Sequence, residues 1–178
     1  YKDGDKNSSK KEVKNNSDSN LKTEAAKKTK VSIAAPIKGN VVALADVKDE
    51  AFSSESMGKG IAIEPEEGKV YAPADGVIST FFPTGHAIGI TTDLGAEILI
   101  HVGMDTVEMN GDGFEPQKSQ GDKVKKGDLL LKFNIDKIKA AGHPVTTPVI
   151  ITNSDDYADV IPTNAPKVDS GDELIQII

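Results

Sequence analysis

Residues 86–101 read HAIGITTDLGAEILIH. Two apolar-rich runs flank Asp93-Leu94-Gly95, a trio with turn chemistry. The pattern predicts an antiparallel hairpin. With a symmetric loop of two or four residues, paired positions sum to 187, so Thr91 faces Ala96, Ile90 faces Glu97, Ile88 faces Leu99 and His86 faces His101. Directly opposed residues have Cβ atoms roughly 4.5–5.5 Å apart. This register therefore sets two of the three histidines side by side. A slip of one residue would send them to opposite faces of the sheet.

The same grammar covers most of the chain. From Val31 onward short β-rich runs alternate with glycine and proline: VSIAAPIKGNVVAL (31–44), GKGIAIEP (58–65), GKVYAPADGVIST (68–80), GDLLLKF (127–133) and TTPVIITN (146–153). Strands of this length between turn signals predict an all-β fold, an antiparallel β-sandwich or barrel-like hybrid. One short helix is expected over Asn134–Ala141, capped by Asn134, ended by Gly142 and kept from resuming by Pro144. Residues 172–178, DELIQII, read as a final strand. APADGVIS and GDKVKKGDLL resemble each other as turn-strand units, a weak hint of duplication.

Composition narrows the function. The chain has 178 residues, enough for one domain with a real core. It lacks cysteine, arginine and tryptophan, so disulfides and thiolate metal sites are excluded. Residues 1–30 hold nine lysines and five acids, net +4. The other 148 residues carry twelve lysines against twenty-three acids, net −11. A folded part so acidic argues against nucleic acid or an anionic membrane surface and suits a basic protein partner. The segment 1–30 has too few apolar side chains to offset its chain entropy and is expected to be a disordered polar linker, with the domain at 31–178. No apolar run approaches the roughly 20 residues of a membrane span. The chain begins at Tyr1 and not at a methionine, which suggests a piece of a longer chain or a processed product.

Paired imidazoles admit three readings, which periodicity leaves open. One ring could simply satisfy the other. The two could be part of a zinc site, which would need further ligands. Or one could be a nucleophile and the other its helper, since imidazole has an ordinary pKa of about 6.5 and is largely neutral near pH 7. His143 stands unpaired before Pro144 and reads as a surface residue. The GDG at 111–113 lacks the lysine of a phosphate-binding P-loop. GDKVKKGDLL is similar to turns of biotin- and lipoyl-carrier domains but has no lysine in a modifiable motif.

PTGHAIGI (83–90), ILIHVGMDTVEMNGDGF (98–114), GKGIAIEP and APADGVI together closely resemble the glucose-type IIA domain of the bacterial phosphoenolpyruvate-dependent sugar phosphotransferase system. The likeness runs from about Ile33 to Ile151 and more loosely beyond. It implies an antiparallel β-sandwich with a shallow, apolar-rimmed depression. It also implies a phosphoryl carrier, loaded by the histidine-phosphorylated protein HPr and discharged to a IIB domain that phosphorylates the incoming sugar. By the resemblance, His101 takes the phosphoryl group on Nε2, His86 supports it during onward transfer, and Thr84 orients a histidine of the pair. Asp49 and Asp105 match positions that meet an arginine of HPr. Phe52, Met57, Phe82, Leu99 and Val107 match apolar positions of the docking face, two of them exposed aromatics in a dry rim. Some members have phenylalanine where this chain has Leu99, and a bulkier polar residue where it has Gly85.

No cofactor or metal is implied. In the family it resembles, lysine- and asparagine-rich tethers of this kind join IIA domains to membrane-embedded IIC domains, so the resemblance implies a cytoplasmic domain tethered at the inner face of the plasma membrane. The transported sugar is chosen in the membrane domain. An alternative is a phosphorylation-dependent regulatory module acting on transporters or metabolic enzymes. A zinc hydrolase on a related scaffold needs more ligands than the chain offers near the pair.

Overall fold

The computed structural model describes residues 31–178, so the expected linker at 1–30 lies outside the described residues. The first half contains β1 (Val31–Ala34), β2 (Gly39–Val42), α1 (Glu50–Ser53), β3 (Lys59–Pro65), β4 (Lys69–Tyr71), β5 (Gly76–Phe81) and β6 (Ala87–Thr92). The second half contains β7 (Glu97–His101), β8 (Phe114–Pro116), β9 (Lys123–Val124), β10 (Leu129–Phe133) and α2 (Ile135–Ala140). It ends with β11 (Thr147–Ile151), β12 (Val160–Pro162), β13 (Lys167–Val168) and β14 (Glu173–Ile177). The main sheet has eight strands in the order β13-β2-β3-β11-β7-β6-β5-β9. Two three-stranded sheets, β1-β14-β12 and β4-β10-β8, accompany it. Every described strand pairing is antiparallel.

The alternation that predicted the strands places the core. In β7, Ile98 and Ile100 are 1% and 0% exposed, while Leu99 and His101 point to the other face. Ile88 and Ile90 of β6 join the same interior. Each such side chain contributes about 1.5–3 kcal/mol on burial. β11 is buried at all five positions, because it is covered on both faces of the sheet. Its outer cover near His101 is the segment 44–52. Leu44, Val47 and Phe52 pack there with Ala62, Met104 and Ile150, and Val42 and Leu99 lie against the cluster.

Turn chemistry is repeated. In SQGD (119–122), KKGD (125–128) and DSGD (169–172) the aspartate Oδ2 accepts the backbone N–H of the first residue, and the aspartate N–H returns to that residue's carbonyl. The glycine at the third position has φ of +96°, +96° and +94° respectively, as a type II turn requires.

The structure corrects two expectations. The helix predicted after Asn134 is present, with the Asn134 side chain accepting from Lys137 N–H at 3.0 Å and Gly142 at φ +87° just past its end. It is not the one short helix expected: α1 and three short 3-10 helices, at Leu44–Asp46, Thr106–Met109 and Ser154–Asp156, accompany it. The hairpin register also differs. Positions in β6 and β7 sum to 188, so Ala87 faces His101, Ile88 faces Ile100 and Gly89 faces Leu99. The loop is Asp93-Leu94-Gly95, three residues between Thr92 and Ala96, closed by Thr92 N–H to Ala96 O at 2.9 Å. Gly95 at φ +98° supplies the left-handed residue that a three-residue hairpin loop needs. A loop of odd length shifts every pairing by one.

Candidate active site

With that register, strict alternation would separate the two histidines. They meet because His86 lies outside the ladder. β5 and β6 are joined by Pro83-Thr84-Gly85-His86, a loop closed by Phe82 N–H to Ala87 O at 3.0 Å and by Gly85 N–H to Phe82 O at 2.7 Å. Gly85 has φ +78° and turns the chain so that His86 does not inherit a strand direction. A Cβ there would also sit 3.0 Å from Phe114 Cβ. Val102 N–H donates to His86 O at 2.7 Å and pins the loop to the end of β7.

The imidazole centroids of His86 and His101 are 5.0 Å apart, with planes at 80°. Phe52 lies 5.2 Å from His101 and Phe82 lies 5.3 Å from His86, which makes a chain of four rings. His101 Nδ1 is 2.8 Å from Gly103 O. A carbonyl only accepts, so Nδ1 carries the proton and the neutral ring keeps its lone pair on Nε2. His86 Nδ1 is 2.7 Å from Thr84 Oγ1. Gly111 of the GDG segment packs against the Thr84 backbone, so that motif buttresses the loop carrying His86.

Burial governs the charge of both rings. It pushes His86 down to about 4, with the charge of His101 adding to the effect. Burial also pushes His101 below its ordinary value, opposed by the Gly103 carbonyl and by the carboxylates of Asp49 and Asp105. Both rings are therefore neutral near pH 7.

The other expected residues fall in distinct places. Asp49 and Asp105 both lie close enough to act on His101. Asp49 is also the N-cap of α1, accepting from Ala51 N–H at 2.9 Å. Asp105 adopts φ +57°, a left-handed conformation uncommon outside glycine and the Asn/Asp pair. Phe82 and Val107 are 43% and 51% exposed. Phe52 is not an exposed rim aromatic: it is 3% exposed and forms a wall beneath His101, because α1 packs it into the outer cluster. Leu99, on the His101 face of β7, is half-buried against that cluster. Met57 is 39% exposed and lines a small hollow with Glu55, Thr152 and Asp155. His143 is half-buried in the loop after α2. Among the described residues no group of three or more His, Cys, Asp or Glu side chains is placed to hold a metal ion. Sequence reasoning assigned no role to Gly103. Its position two residues after His101 was the available signal, since a β-strand that ends there can fold its next carbonyl back onto Nδ1.

The fold and the histidine pair define a class, a β-sandwich domain with two neutral imidazoles set side by side at a strand end. The comparisons with known proteins give the family. A model of the phosphoenolpyruvate-dependent sugar phosphotransferase system family EIIA 1 matches residues 31–157, and the chain belongs to that family. It is 48% identical over 167 residues to the beta-glucoside-specific EIIBCA component of Halalkalibacterium halodurans, covering 92% of this chain and 26% of that protein. It is 45% identical over 141 residues to the glucose-specific EIIA component of the same organism, covering 79% of this chain and 82% of that one. The glucose permease IIA structure from Mycoplasma capricolum superposes with a TM-score of 0.75 at 33% identity, covering 83% and 96% of the two chains. The chain thus spans about a quarter of the length of the EIIBCA relative. Among the described residues no helix is long and apolar enough to cross a membrane.

Proposed function

We propose that this EIIA domain carries a phosphoryl group on Nε2 of His101, taking it from phosphorylated HPr and passing it to a IIB domain. The observation that carries this reading is the 2.8 Å contact from His101 Nδ1 to Gly103 O, beside a second neutral imidazole. The Nε2 lone pair attacks phosphorus, a P–N bond to His101 forms, and the donor's P–N bond breaks with its electron pair returning to the donor imidazole. No proton has to leave His101, because Nδ1 keeps its own. When Thr84 donates its hydroxyl proton to His86 Nδ1, the His86 proton resides on Nε2 and can be donated to a phosphoryl oxygen. Such positioning and charge stabilisation are what phosphoryl transfer asks of a protein.

Asp49 and Asp105 suit an arginine of the donor, through charge-assisted hydrogen bonds. Phe82 and Val107 supply exposed apolar surface for docking, the half-buried Leu99 lies on the His101 face of β7, and Met57 adds a further exposed apolar side chain. The EIIBCA relative supports a covalent IIB–IIC neighbourhood for this domain, with residues 1–30 as the linker and the domain on the cytoplasmic face of the membrane.

The test is incubation with phosphoenolpyruvate, enzyme I and HPr. One acid-labile, alkali-stable phosphoryl group is expected per chain. His101→Ala should take up none, and His86→Ala should be loaded but fail to discharge to IIB. Normal labelling of His101→Ala would remove the assignment.

A further inference from the structure

We propose that Thr106 is a positioning residue for His101, acting through the backbone that holds the ring's tautomer. The proposal rests on the reading of His101 Nε2 as the phosphoryl acceptor. Gly103 O and Met104 N–H belong to one peptide unit. The carbonyl accepts from His101 Nδ1 at 2.8 Å, and the N–H donates to Pro144 O at 3.0 Å. The loop after α2, the dipole of this peptide unit and the imidazole thus form one hydrogen-bonded series, in which each bond polarises the next.

That series has a weakness. Gly103 has φ +77°, and glycine passes easily between backbone conformations. A flip of the Gly103–Met104 peptide would turn an N–H toward Nδ1 in place of the carbonyl. The ring would then keep its proton on Nε2, and the lone pair that attacks phosphorus would be gone.

Thr106 closes this route from both sides of its side chain. It is 0% exposed, and its hydroxyl donates to Val102 O at 2.5 Å, fixing the peptide unit just before Gly103. Its γ-methyl lies against Gly103 so closely that a Cβ there would be 2.6 Å from it and 2.9 Å from Pro144 O. A buried hydroxyl needs a partner, and this one uses a carbonyl one residue from the group that holds His101.

The test compares the full chain with Thr106→Val, which keeps the shape and removes the donor, and Thr106→Ser, which keeps the donor. The His101 ring is read by 15N chemical shifts at pH 8, and phosphoryl uptake from phosphorylated HPr is read as kcat and KM. Thermal midpoints are recorded in parallel. Thr106→Val should populate the Nε2–H tautomer and lower kcat for uptake roughly ten- to a hundredfold, as mispositioned reacting groups do. KM should stay unchanged, and Thr106→Ser, which keeps the hydroxyl but lacks the methyl, should restore most of both tautomer and rate. Folded Thr106→Val with wild-type shifts and kcat would overturn the proposal, and so would a folded Thr106→Ser as impaired as the valine variant. If Thr106→Val does not fold, Thr106→Cys, a weak donor of similar size, is read the same way. Should the wild-type chain take up no phosphoryl group, the acceptor reading fails, while the 15N shifts still decide whether Thr106 sets the ring.

Discussion

His101 faces Ala87 across the β6–β7 ladder, yet the imidazole it pairs with is that of His86, 5.0 Å away. The pair is made by a loop and a strand end, not by two opposed strand positions. That origin makes the site sensitive to the loop's glycine, to its threonine and to the cover that buries the rings.

The pH dependence of stability follows from His86. Its folded pKa is depressed to about 4, below the ordinary 6.5, so between those values the unfolded chain binds more protons. Stability is expected to be full above about pH 6.5 and to fall as pH drops toward 4, by roughly 2 kcal/mol after allowance for screening. Chemical denaturation at a series of pH values checks this. His86→Gln should flatten that part of the profile, and an unchanged slope in the variant would show that other groups carry it.

Asp49 has two roles that a pair of variants separates. Asn caps a helix about as well as Asp, so Asp49→Asn should leave stability within about 0.5 kcal/mol of wild type, whereas Asp49→Ala should cost about 1 kcal/mol. Both remove a charge that raises the His101 pKa, so His101 should titrate lower in each. NMR titration of the ring, set beside denaturant unfolding, distinguishes the effects.

Gly85 is required by backbone and by space. Gly85→Ala places a Cβ at φ +78° and 3.0 Å from Phe114 Cβ. The expected loss is about 1–3 kcal/mol, with Gly85→Asn losing less because asparagine tolerates the left-handed region. Equal unfolding free energies for wild type and the alanine variant would contradict this account.

Thr84→Val keeps the loop's shape and removes the side-chain partner of His86 Nδ1. Loading of His101 should persist. Discharge to IIB should slow by about ten- to a hundredfold, less than the roughly 10²–10⁴-fold expected for losing a proton donor outright, because the His86 ring stays and loses only the partner that sets its tautomer. Single-turnover transfer from the loaded domain measures it, and a wild-type discharge rate would exclude a role for the hydroxyl.

What was legible in the chain itself was local. Alternating Ile88, Ile90, Ile98 and Ile100 announced a half-covered hairpin, because side chains on a strand reverse face at every step. Asn134 and Gly142 marked the ends of α2, because a cap bonds within three or four residues of itself. The histidine partnership was also readable, although through a register that proved one residue off. The loop 93–95 could be assigned two, three or four residues, and only closure by Thr92 and Ala96 in the packed sheet selects three.

Tertiary structure alone decided the rest. Neither α1 nor the burial of Phe52 follows from EAFS, a four-residue segment too short to be helical on its own. It is held by packing against Leu44, Met104 and Ile150, which are remote in sequence or on other elements. The Pro144 carbonyl reaches Met104 from the far side of α2, and that contact exists only once β11 lies beside β7. Hydrogen bonds within a few residues are written into the order of side chains. The orientation of His101 depends on groups forty residues apart, and only the buried core brings them together.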